Sequence, residues 1–153
     1  VAVAVGARWL TKRWPPAHFA ALLGRAQAAF GGTCLFVGTA DDGPLSLEVM
    51  ASLRGPARDL TGATPLPRLV AGPLHLAAAL GRPCVAPYTC TKAARHGPYT
   101  SPGGGVETTV ACGGSYLRQC PRGMVCLSDL TPDRLWGPLS GVLESWRRTY
   151  RSA

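Results

Sequence analysis

The sequence predicts an α/β fold in which residues 1–153 form one domain, a parallel β-sheet flanked by helices. Three observations predict it. Short apolar runs alternate with segments of helical periodicity. Glycine or proline stands at most of the boundaries between them. The chain's 153 residues, 46% hydrophobic and 16% charged, suffice for one buried core and do not fit a disordered composition. Strands that alternate with helices imply crossover connections, and so parallel pairing.

The elements follow in order. Val1 to Val5 is a β-rich run closed by Gly6. Pro15 and Pro16 open a helix, because proline fixes φ and its missing N–H costs nothing in a first turn. Phe19, Leu22, Leu23, Ala26 and Phe30 fall on one face of that helix, and Gly31-Gly32 ends it. Cys34 to Val37 is a short apolar strand closed by Gly38. Leu45 to Leu53 forms a second helix, ended by Gly55-Pro56, and Ala57 to Leu60 a short strand. Leu74 to Leu80 is helical with Gly81 as its stop, and Cys84 to Pro87 is a buried strand. Tyr88 to Gly123, rich in Gly and Pro, reads as mostly loop. Thr131-Pro132-Asp133 starts a helix that Gly137-Pro138 should interrupt. The restarted helix would carry Leu139, Val142, Leu143, Trp146 and Tyr150 inward. There is no internal repeat.

The net charge of +8 comes from 14 arginines and 2 lysines against 8 acidic residues. Such a surface favours acidic partners: nucleic acid, anionic lipid or phosphorylated substrates. A surplus of Arg, Ala, Gly and Pro also fits GC-rich coding, and both explanations stand. No aromatic RNA-binding motif, zinc finger or basic heptad helix is present, so nucleic acid is not an expected partner. No apolar run is long enough to span a bilayer. The start, VAVAVGARW, lacks the basic region of a signal peptide and reads as a strand that begins abruptly.

Six cysteines are scattered through the chain, and Cys34 and Cys84 lie in apolar runs where a thiol behaves as a small hydrophobe. That is not a secreted disulfide framework, and a cytoplasmic setting is expected. Cys112, Cys120 and Cys126, with Cys90 or His96 as a fourth ligand, could bind zinc. Their spacing is not CxxC, and loop packing is the preferred reading. No metal or other cofactor is expected.

Ligands of parallel α/β sheets bind in the loops after the strands, and four such loops carry candidates. Gly6 to Pro16 sets Thr11, Lys12 and Arg13 before a helix, a possible phosphate cradle or a solvated basic turn. Gly38-Thr39-Ala40-Asp41-Asp42-Gly43 offers a carboxylate for ribose hydroxyls or a helix cap. Gly72-Pro73-Leu74-His75 opens a helix with free N–H groups, and His75 is a diphosphate ligand or a packed side chain. Gly97-Pro98-Tyr99 packs on a base or forms a turn.

In this order, GARWLTKRWPPAHFAAL, GPLHLAAALGRPCVA, HGPYTSP and CPRGMVCLSDLTPDRL resemble glycosyltransferase family 9, the ADP-heptose:lipopolysaccharide heptosyltransferases. The resemblance covers nearly the whole chain and points to the Rossmann-like, C-terminal half of a two-domain GT-B fold. It implies donor binding for inverting transfer of heptose from ADP-heptose, or a related nucleotide sugar, to a sugar of the lipopolysaccharide core. Lys12 would contact the donor phosphates with help from Thr11. Asp42 would hold ribose. Gly72, Pro73 and His75 would face the diphosphate and sugar. Positive charge on the phosphate side would stabilise the leaving ADP.

The chain departs from the family pattern in two ways. A strand and its ligand-bearing loop are missing before Gly72, where Val70 and Ala71 replace an acidic and a hydroxyl residue. The acceptor half, which supplies the family's general base, is also missing. The alternative is therefore a catalytically inactive nucleotide-binding or interaction domain. The enzyme class implies a cytoplasmic protein, peripheral at the inner membrane, and Arg147, Arg148 and Arg151 either touch anionic lipid there or form a solvated helix end.

Overall fold

A computed structural model describes residues 1–63, 72–99 and 101–150, the last without its side chain. The elements are β1 (Ala2–Val3), α1 (Pro16–Phe30), β2 (Cys34–Phe36), α2 (Gly43–Ala51) and β3 (Ala57–Asp59), then α3 (Pro73–Ala79) and β4 (Cys84–Tyr88). They are followed by α4 (Ala93–His96), β5 (Gly103–Glu107), α5 (Val125–Asp129) and α6 (Pro132–Tyr150). Short 3-10 turns at Leu10–Lys12 and Ala40–Asp42 follow β1 and β2. All strand pairs are parallel, as alternation predicts.

Among the described residues the strands form two sheets, not one: β1-β2-β3 and β4-β5. β1 and β4 are both edges, and the chain that passes from β3 to α3 includes the segment before Gly72 where the family pattern is interrupted. Val70 and Ala71, on which that comparison rested, lie outside the described residues.

Two apolar clusters hold the halves together. Val3, Val5, Leu23, Cys34, Phe36 and Val49 pack under the first sheet. Trp14, Leu22, Ala26, Leu130, Leu135 and Leu139 form the second cluster, against which Val85 and Val106 of the small sheet pack. Helix α1 serves both because Leu22 and Leu23 point to adjacent sides of one apolar stripe. Gly81 ends α3 as expected: with φ +65° it lets Gly81 N–H reach Ala78 O at 3.0 Å and Arg82 N–H reach Ala77 O at 2.8 Å.

The described residues of 88–123 are mostly loop, as expected, with the short α4 and β5 set among them. β5 reads GGGVE, with glycines at positive φ in Gly103 and Gly104, so its strand character comes from pairing with β4 and not from its residues. Two expectations change. Helix α6 runs unbroken through Pro138. Proline removes one backbone bond there, but Leu135 and Leu139, 2% and 8% exposed, keep both turns on the same core. Trp146 does not turn inward; it is 41% exposed, and Arg82 lies 5.9 Å from its ring centroid.

Candidate functional site

A shallow, open crevice of about 100 Å³ lies at the carboxyl ends of β1 and β2. Gly6, Gly38, Thr39 and Asp42 form one wall, and Pro73 at the start of α3 contributes the other. Asp42 ends the 3-10 turn after β2, where its Oδ2 accepts hydrogen bonds from Thr39 N and Thr39 Oγ1, both at 2.9 Å. These bonds fix the carboxylate over the strand ends. Close approach requires glycine beneath it: a Cβ on Gly6 would collide with the Asp42 carboxylate, and one on Gly38 would stand 2.7 Å from Oδ2. Gly72, with φ +69°, turns the chain into α3, and His75 is an exposed neighbour within 3.8 Å of where a Gly72 Cβ would be. Asp42 and Pro73 thus face each other across one crevice, and Gly72 and His75 flank Pro73 along the chain.

Thr11 and Lys12 do not line this crevice; they belong to the loop that leaves β1. Thr11 is 3% exposed, and its hydroxyl donates to Leu117 O at 2.9 Å. Its carbonyl accepts from Thr89 Oγ1 at 2.6 Å, and its Oγ1 accepts from Cys90 Sγ at 3.3 Å. The threonine hydroxyl is therefore a tie between loops. Lys12 is exposed, with Nζ 5.6 Å from the centroid of Trp9. Arg118 approaches the same ring to 5.1 Å. The sequence pattern alone had not singled out Trp9 or Arg118. Nothing in the chain order links Arg118 to the loop after β1; the Thr11–Leu117 bond does.

The loop after β4 is closed on itself. Lys92 Nζ meets Glu107 Oε2 at 3.0 Å, and Ala93 N donates to Glu107 Oε1 at 2.7 Å. The hydrogen bond from Lys92 is the main cause that holds the Glu107 carboxyl below its ordinary value. Gly97 and Pro98 are buried, Tyr99 is exposed with its hydroxyl donating to Arg95 O, and Tyr88 Oη donates to His96 O at 2.5 Å. This segment is an internally bonded turn. Burial pushes the Tyr88 phenol up to about 12.

A polar knot secures the loop that carries Arg118. Asp129 accepts from Thr108 Oγ1 at 2.6 Å, Thr109 N at 2.9 Å and Arg134 Nη1 at 2.5 Å. Arg134 Nη2 also donates to Glu107 O at 2.7 Å. These bonds, the one from Thr108 first, lower the Asp129 carboxyl from its ordinary 3.8 to about 2. Cys112, Cys120 and Cys126 are free thiols. Burial first, then the neighbouring Cys120 and Cys112, pushes the Cys126 thiol up, which favours the protonated form. Cys120 Sγ accepts from Arg122 N at 3.4 Å and Met124 N at 3.3 Å. Among the described residues no group of three His, Cys, Asp or Glu could hold a metal ion.

The geometry can be set beside known proteins. The sequence profile of glycosyltransferase family 9 (heptosyltransferase) matches residues 1–125. A search of curated protein sequences finds no match. Among solved structures, the ADP-heptose lps heptosyltransferase II of E. coli is similar, at 26% identity over 95% of this chain with a TM-score of 0.70. The glycosyl transferase family 9 protein of Veillonella parvula DSM 2008 shares the fold, at 22% identity over 94% of this chain with a TM-score of 0.75. This chain spans 46% of the length of each. It is an α/β, Rossmann-like chain with the fold of about half a heptosyltransferase, and by its sequence it belongs to glycosyltransferase family 9.

Proposed function

We propose that this chain is the donor-binding half of a heptosyltransferase, taking ADP-heptose or a related nucleotide sugar for inverting transfer to a lipopolysaccharide core sugar. The observation that carries this reading is the Asp42 carboxylate, fixed across a crevice from Pro73 at the carboxyl ends of β1 and β2. Both Thr39 hydrogen bonds converge on Oδ2, which leaves Oδ1 to accept from a ribose hydroxyl. The crevice is smaller than the several hundred Å³ of a site that encloses a whole ligand. It would hold the ribose, with the diphosphate lying over the loop after β1. There the positive charge of Lys12 would stabilise ADP as it leaves, since charge develops on the phosphate oxygens in the transition state. Gly72 and His75 would border the sugar end.

Acceptor and general base would come from the other half of a two-domain GT-B enzyme. A lipopolysaccharide acceptor would place the complete enzyme at a membrane surface. Among the described residues no helix is long and apolar enough to cross one.

Calorimetric titration with ADP and ADP-heptose tests the reading. Saturable binding is expected, weakened about tenfold to a hundredfold by Lys12→Ala, since a hydrogen bond between charged groups contributes roughly 1.5–3 kcal/mol. Asp42→Asn should weaken ADP more than pyrophosphate, because only ADP carries ribose. A folded chain that binds neither ADP nor ADP-heptose would overturn the proposal.

A further inference from the structure

We propose that Arg118, from the loop between β5 and α5, is a second cation for the donor diphosphate, held beside Lys12 by the indole of Trp9. The inference rests on the donor-binding reading above and adds a residue and a scaffold to it.

The first ground is charge. Lys12 Nζ and Arg118 Cζ lie 5.6 Å and 5.1 Å from one ring centroid. Each cation is attracted by the indole face, but the two repel each other. Three other cations of the chain are neutralised: Arg25 by Asp133, Lys92 by Glu107 and Arg134 by Asp129. Among the described residues neither Lys12 nor Arg118 has a carboxylate partner. Both are exposed. Like charges gathered on one ring without a counter-charge favour an anion that bridges them, and a diphosphate offers several oxygens to do so.

The second ground is construction. The position of Arg118 is set by bonds on the residues before it. The buried Thr11 hydroxyl holds Leu117 O at 2.9 Å, Tyr116 N reaches Cys90 O at 2.7 Å, and Gly114 N reaches Thr89 O at 3.1 Å. Thr89 Oγ1 in turn holds Thr11 O at 2.6 Å. Three loops are thereby locked into one unit, and two cations from distant parts of the sequence each lie within 6 Å of the centroid of one indole. Thr11 is in this account a positioning residue, acting through Leu117 on Arg118.

The test is calorimetry of the chain, Arg118→Ala and Arg118→Lys with three probes: ADP, inorganic pyrophosphate and adenosine. Arg118→Ala should weaken ADP and pyrophosphate about tenfold or more and leave adenosine unchanged, with a shallower salt dependence. Arg118→Lys should recover part of the loss, since it restores charge without the planar fork. Unchanged ADP affinity in Arg118→Ala, with Lys12→Ala still defective, would overturn the role of Arg118 and leave the donor reading intact. Adenosine affinity lost in parallel would overturn it too, by showing a structural effect. Pyrophosphate bound through Arg118 without any ADP binding would keep the phosphate site and overturn the donor reading.

Discussion

The loops that follow β1 and β4 both carry a Thr-Lys pair, Thr11-Lys12 and Thr91-Lys92, and these are the chain's two lysines. Both threonines are buried, at 3% and 4% exposure, and both lysines are exposed. The local sequence does not separate them. Their neighbours do. Lys92 is neutralised by Glu107 on the adjacent strand β5, so its loop is held by its own charges. Lys12 shares the Trp9 ring with Arg118, a second cation. On the proposed donor-binding reading, a Thr-Lys pair after a parallel strand would serve a ligand only where the fold leaves its charge uncompensated. The uncompensated loop is also the one that lies nearest in sequence to Gly6, under the Asp42 carboxylate.

The largest expected effect comes from detaching the first loop from the core. Trp14 follows Arg13 directly, is 3% exposed, and donates from Nε1 to Leu130 O at 2.6 Å. It also packs edge-on against Phe19, with ring centroids 4.9 Å apart. Trp14→Ala should cost about 3–5 kcal/mol of stability, measured by chemical denaturation. Trp14→Phe keeps most of the packing but orphans the Leu130 carbonyl, with an expected loss of about 1–3 kcal/mol. A loss under 0.5 kcal/mol for Trp14→Ala would mean that the loop is not anchored through this residue. Next in size is the contrast between the lysines. Lys12→Ala is expected to lose ADP affinity tenfold or more while Lys92→Ala stays within twofold of the parent chain. Equal losses would break the comparison.

The pH dependence sharpens it from another side. Asp129 is held at about 2, chiefly by Thr108 and then by Thr109 and Arg134. A carboxyl whose folded value is depressed contributes stability that is full above its unfolded value, near 4, and is lost as pH falls toward the folded value. Denaturation followed from pH 5 to pH 2 should therefore show stability declining below about pH 4. Asp129→Asn should reduce stability at pH 6 and flatten part of that decline. An unaltered acid limb in the variant would show that the knot does not retain its charge at low pH.

Much of the fold was legible because α1, α2 and α3 announce themselves by proline at the start and an apolar stripe or a glycine stop. β1, β2 and β4 do so by apolar runs. β5 was not, since three successive glycines have no β propensity and acquire strand geometry only from β4. The break expected at Gly137-Pro138 failed for a related reason: tertiary packing of Leu135 and Leu139 outweighs a lost backbone bond. Of the residues proposed for the site, Asp42 and Pro73 stand in loops after strands and line one crevice, as that loop rule leads one to expect. The part played by Thr11 was not legible. A hydroxyl beside a lysine suggests a phosphate ligand, and its bond to Leu117, far along the chain, is visible only in the fold. Arg118 was hidden for the same reason.

The smallest effect expected is on stability from Lys92→Ala. The Lys92–Glu107 pair is partly exposed, with side chains 48% and 33% accessible, so solvent screens it and its loss should cost about 1 kcal/mol or less. Glu107 keeps the Ala93 N–H at 2.7 Å, so the turn survives removal of the amine. At this chain length such a loss lowers Tm by about 2–4 °C at most. A larger drop, especially one that persists in high salt, would mean that Lys92 carries more than the tie to Glu107. The two loops would then differ less than their charges imply. A small drop with unchanged ADP affinity would leave charge compensation as what separates the loop that binds from the loop that closes on itself.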